Sequence, residues 1–175
     1  MYVRIIALLL INLICLSTAN AQKLSKRFVS KTAENGIIYF VKPYEMPHHG
    51  SNKMVTKPML YDITLITNKD SVAFCATVYT KQPMVLNSVQ INTTSGLQVS
   101  QPLQKIFVGM EKKHYKSRYR FYLTQKEYET MYRGDAPFEV NFGDGIIFAI
   151  PKGKWAKESN VHKNILQLAS LNEQQ

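Results

Sequence analysis

The sequence predicts a mainly β protein, a β-sandwich or partly open barrel of antiparallel hairpins that carries a short helix and a C-terminal amphipathic helix packed on the sheet. Three observations carry that prediction. Residues 59–80 hold two β-branched, aromatic-rich runs on either side of the polar turn Asn68-Lys69-Asp70, which is a hairpin signal. About nine or ten such short runs recur along the chain with turn-forming residues between them. Helical spacing of apolar residues is confined to two stretches near the C-terminus.

The hairpin at 59–80 is expected at the centre of the sheet. In its first run Tyr61, Ile63 and Leu65 alternate with Asp62 and Thr64, so one face is apolar. In its second run, Val72 to Thr80, both faces are largely apolar, as in a strand covered on both sides. Before it, Phe28-Val29 and Ile37 to Val41 flank Glu34-Asn35-Gly36, whose Asn-Gly pair permits a tight turn. Residues 43–57, with Pro43, Pro47 and Gly50, read as the longest irregular segment, a place for function or mobility.

After the central hairpin, residues 87–94 alternate polar with apolar at Val89 and Ile91, and Ser95-Gly96 turns them into a short partner ending at Pro102. Lys105 to Met110 and Lys116 to Leu123 form a further hairpin across residues 111–115. Thr124 and Glu127 make a capping box for a helix that stops at Gly134. Residues 137–142 and 146–150 pair across Gly143-Asp144-Gly145. The last segment places Val161, Ile165, Leu168 and Ala169 at helical spacing, a helix over 154–175 capped near Ser159 and docking through Trp155, Val161, Ile165 and Leu168. The expected core includes Ile63, Leu65, Phe74, Val78, Phe121, Val140 and Ile147.

Residues 1–21 read as a secretory signal peptide: a charged start at Arg4, an apolar run from Ile5 to Leu16 too short to span a bilayer, and the small-x-small site Ala19-Asn20-Ala21. Cleavage before Gln22 would remove one basic residue, lower the formal charge from +10 to +9 and leave 154 of 175 residues, the size of one β-rich domain over 22–175. The expected location is the periplasm or the cell exterior. Cys75 would then be the only cysteine, so no internal disulfide is available and the thiol reads as a buried, structural one.

The sharpest charged feature is Lys112 to Arg120. Lys116, Arg118 and Arg120 fall on one face of a strand, opposite Ser117, Tyr119 and Phe121, with Lys112 and Lys113 at its start and Tyr122 at its end. Such a stripe suits the carboxylates or phosphates of an anionic polymer, lipid head group or acidic protein, and equally suits a solvated outer face that discourages edge pairing. Nucleic acid is not the expected partner of an exported chain, and Tyr122 alone is a poor stacking platform. Glu45, His48 and His49 are the weak metal candidates, since adjacent histidines on an extended chain point to opposite sides. No Gly-x-Ser-x-Gly, His-Glu-x-x-His or usable Ser-x-x-Lys pattern occurs, and no cofactor is implied.

Two short acceptor patterns stand out, Asn92-Thr93-Thr94 for N-glycosylation and Asp70-Ser71-Val72, which is similar to an O-glycosylation acceptor of exported bacterial proteins. In its leader and single β-rich domain the chain resembles small bacterial envelope proteins. The expectation is therefore an exported, non-catalytic binding or structural module of the cell envelope that engages an anionic envelope component or acidic protein partner through the basic strand face. The alternative is a periplasmic or secreted hydrolase of a glycan or peptide bond whose site is assembled from distant residues.

Overall fold

A computed structural model describes residues 26–172, and the leader expected over 1–21 lies outside them. The larger sheet contains β1 (Phe28–Ala33), β2 (Gly36–Met46), β3 (Met59–Ile66), β4 (Val72–Thr80), β7 (Gln104–Glu111) and β8 (His114–Leu123), in the order β1-β2-β3-β4-β8-β7. The smaller contains β5 (Ser88–Asn92), β6 (Gln98–Pro102), β9 (Glu139–Asn141) and β10 (Ile147–Ala149), in the order β10-β9-β5-β6. All neighbours are antiparallel, and both sheets are open at their edges. Helices α1 (Gln125–Arg133) and α2 (Lys152–Asn172) complete the domain. The predicted class is therefore the observed one, mainly β with two antiparallel sheets and two helices.

Strand β4 holds the central place that its apolar faces imply, between β3 and β8. Its inward residues Phe74, Ala76 and Val78 are buried, and Phe74 stacks between Tyr61 (centroids 5.1 Å) and Phe121 (4.7 Å). Val89, Ile91, Val140 and Phe148 bring the smaller sheet into the same apolar cluster. Only Leu103 separates β6 from β7, so one run of chain leaves the smaller sheet and enters the larger. This is the corner by which two packed sheets share a strand path.

Local signals act as expected at α1. The Thr124 hydroxyl accepts from the Glu127 amide at 3.1 Å, and the Glu127 carboxylate accepts from the Thr124 amide at 2.7 Å, satisfying two donors at the helix start. The helix ends at Gly134.

Four expectations are corrected. Strand β2 runs on to Met46, because a register shift between Val41 and Tyr44 accommodates Pro43. The irregular segment therefore starts at Pro47, and it is pinned to β10: His49 and Gly50 donate to the Ile147 carbonyl at 2.9 and 3.3 Å, and Ala149 donates to that of Pro47 at 3.2 Å. A Cβ on Gly50 would stand 1.9 Å from the Gly145 carbonyl oxygen, so this close approach requires glycine. The β7–β8 turn shrinks to Lys112-Lys113, with Lys112 at φ 59°. In β10, Phe148 is buried where Ile147 was expected, Ile147 being half-buried. Helix α2 starts directly after Pro151, which puts Ser159 mid-helix with its hydroxyl on the Ala156 carbonyl; Leu168 is 37% exposed while Glu158, Ser159, His162 and Ala169 take the packed face.

Candidate functional site

Strand β8 turns Ser117, Tyr119 and Phe121 into the core and Lys116, Arg118, Arg120 and Tyr122 outward. The outer face of the larger sheet is therefore cationic along one strand, and Lys112 and Lys113 project from the turn at its end. The cations do not stand equivalent. Arg118 donates to both carboxylate oxygens of Asp62 at 3.0 and 2.8 Å and to the Thr77 hydroxyl at 3.1 Å. That bidentate contact crosses from β8 over β4 to β3, so the guanidinium spans three strands. Lys116 is 2.8 Å from Glu111, whose carboxyl this hydrogen bond holds below its usual range.

The Tyr79 ring is buried under two ammonium groups, Lys57 at 4.7 Å and Lys116 at 6.0 Å from its centroid. Arg120 reaches the Tyr122 hydroxyl at 3.5 Å, and lies opposite Cys75. Cys75 is buried, as expected, but its cross-strand neighbours are Arg120 and Asp62 rather than apolar residues. A shallow groove of about 340 Å³ lies on this face, lined by Pro43, Leu60, Thr77, Phe107, Lys116 and Arg118. The arrangement offers fixed positive charge beside exposed apolar surface.

Glu45, His48 and His49 diverge. Glu45 is exposed on β2, the His48 ring packs on Phe148 at 5.3 Å, and His49 faces the Glu139 carboxylate at 3.1 Å. No group of three potential ligands able to hold a metal ion forms among the described residues.

One constellation was not legible in the sequence. Glu158 of α2 is 1% exposed and accepts from Tyr61 at 3.0 Å, from His162 Nε2 at 3.3 Å and from Arg27, which precedes β1. His162 is 0% exposed, and its Nδ1 lies 2.6 Å from the Tyr128 hydroxyl. Burial first, and the Glu158 charge second, push the Tyr61 and Tyr128 hydroxyls upward, so both remain protonated donors. Burial also holds the His162 imidazole down, against the pull of Glu158. Acid–base hydrolysis needs a carboxyl or imidazole that substrate can touch. Here both imidazole nitrogens and the carboxylate are occupied within the core, which ties the chain before β1, β3, α1 and α2 together.

Comparison with protein-family models, with curated proteins and with solved structures gives no match. The class that fold and site define is an open two-sheet β protein with a cationic outer face.

Proposed function

We propose that this protein is an exported, non-catalytic binding module that engages an acidic protein partner through the outer face of its larger sheet. The observation that carries the reading is the groove between Phe107, Leu60 and Pro43 with Lys116 and Arg118 on its wall. Apolar contact area with a polar rim suits a protein interface, where apolar burial supplies affinity and charges near the rim supply orientation and on-rate. Asp62 and Glu111 hold Arg118 and Lys116 in place. Lys112, Lys113 and Arg120 have no carboxylate among their hydrogen-bond and ion-pair partners in the described residues, and supply the charge that an acidic ligand would meet. The leader read at residues 1–21 supports export.

The test uses labelled polyglutamate and the variants Lys113→Glu and Arg120→Glu, combined in one protein. Arg118 is the wrong residue to reverse, since it would leave Asp62 facing a second carboxylate. Affinity is expected to fall steeply with salt and by roughly tenfold or more on the double reversal, equivalent to about 1.4 kcal/mol. Binding that ignores both salt and the reversal would sink the proposal.

A further inference from the structure

We infer that β7 is a strand-addition edge that takes an extended acidic segment of a partner protein, an inference that rests on the reading of the cationic face as a binding surface. Every residue of β7 from Gln104 to Met110 is exposed, including Ile106 at 40% and Met110 at 67%. It is the last strand of the larger sheet, paired only with β8. Alternate residues of an antiparallel edge strand turn both N–H and C=O away from the neighbour, so about two or three residues of the regularly paired stretch Phe107 to Glu111 offer both groups to solvent. An uncovered edge of this length is a template for another strand, and folded proteins ordinarily guard it.

The other edges are guarded. Residues 47–52 donate to and accept from β10, closing its free side. Strand β6 has five residues and ends in Pro102. Strand β1 displays Ser30, Lys31 and Thr32 at its centre. Strand β7 is guarded only at its start, by Lys105 and a register shift between Lys105 and Phe107; beyond the shift, Phe107 to Glu111 run without proline or a central charge and carry apolar side chains on both faces, Phe107 beside Arg118 and Val108 beside Ser117.

Charge selects the occupant. Lys105 lies near one end of β7, Lys112 and Lys113 follow the other, and Lys116, Arg118 and Arg120 form the adjacent row. A second copy of this chain, at net +10, would bring the same cations against themselves. A strand alternating carboxylates with apolar side chains instead pairs its amides with the free side of β7, brings its carboxylates toward Lys112 and Lys113 at the end of that strand, with the β8 cations one strand further in, and covers Val108 and Met110 with its other face.

The experiment titrates the protein with an octapeptide alternating glutamate and valine, and with two analogues N-methylated on alternate residues of one edge or of the other. The unmodified peptide should bind and slow amide exchange at Ile106 to Met110. Methylation of one edge should weaken binding by about tenfold or more, and methylation of the opposite edge should leave it unchanged. The protein variant V108N, a charge-neutral change at an exposed position, should weaken the peptide while leaving polyglutamate binding intact. If neither methylation matters while K113E/R120E still abolishes binding, strand addition is wrong and charge recognition stands. If peptide and polyglutamate both fail to bind, the two readings fall together. A dimer that V108N converts to monomer would make the occupant a second copy and overturn the acidic-partner inference.

Discussion

Replacing Glu158 with alanine should destabilise the domain by about 3–5 kcal/mol, the range for breaking a buried ion pair by removing one member. The magnitude follows from what the carboxylate holds. Tyr61 and His162 Nε2 would each become a buried donor without an acceptor, at about 1–3 kcal/mol apiece. Arg27 adds less than a fully buried cation would, because its side chain is 27% exposed and can turn its charge toward water. At about 2–4 °C per kcal/mol for a domain of this size, the midpoint should drop by roughly 6–20 °C. Urea denaturation followed by tyrosine and tryptophan fluorescence gives the free energy, and Trp155, stacked on Tyr132 at 5.7 Å, reports the helix side of the core. Replacing Arg27 and Glu158 together with leucine should recover only the smaller part of the loss, since it removes the stranded charge but leaves Tyr61 and His162 without their acceptor. A Glu158→Ala protein within about 1 kcal/mol of the parent would mean that the carboxylate does not tie these elements together.

Two further outcomes follow from the same core. Phe74→Ala should cost about 3–5 kcal/mol by chemical denaturation, because the ring is fully buried between Tyr61 and Phe121 and little around it can collapse into the space; near-parental stability would displace β4 from the centre of the fold. His162 is held below its ordinary value of 6.5 by burial, with Glu158 pulling the other way, Tyr128, Tyr132 and Tyr61 packed around it and Arg27 beyond Glu158. The unfolded chain therefore takes up a proton near pH 6.5 that the folded chain refuses, so this contribution to stability is complete above that pH and is lost as pH falls toward the folded value. Melting temperature should decline between about pH 7.5 and about pH 5.5, and His162→Gln should flatten the decline; an equally steep profile in that variant would assign the effect elsewhere.

The sequence alone determined those features whose causes lie within a few residues. The Thr124–Glu127 capping box, the hairpins around Gly36, Asn68 and Gly96, and the inward and outward sides of β3, β4 and β8 are local, because backbone geometry and alternation act over neighbours. The tertiary structure decided what depends on partners distant along the chain. Arg118 is neutralised by Asp62, 56 residues away, only because β4 brings β3 and β8 to its two sides. Asp62 was readable as outward-facing, but not its place two strands from the arginine. On α2, apolar spacing favours Leu168, yet Leu168 is exposed and Glu158 and His162 are buried. Periodicity counts a carboxylate and an imidazole as surface; Arg27, 131 residues from Glu158, together with Tyr61 and Tyr128 compensates their desolvation, and only the fold assembles those donors. The exposed edge at β7 follows from strand order as well, for its run of apolar residues would suit an interior strand equally, and what leaves it uncovered is its position beyond β8.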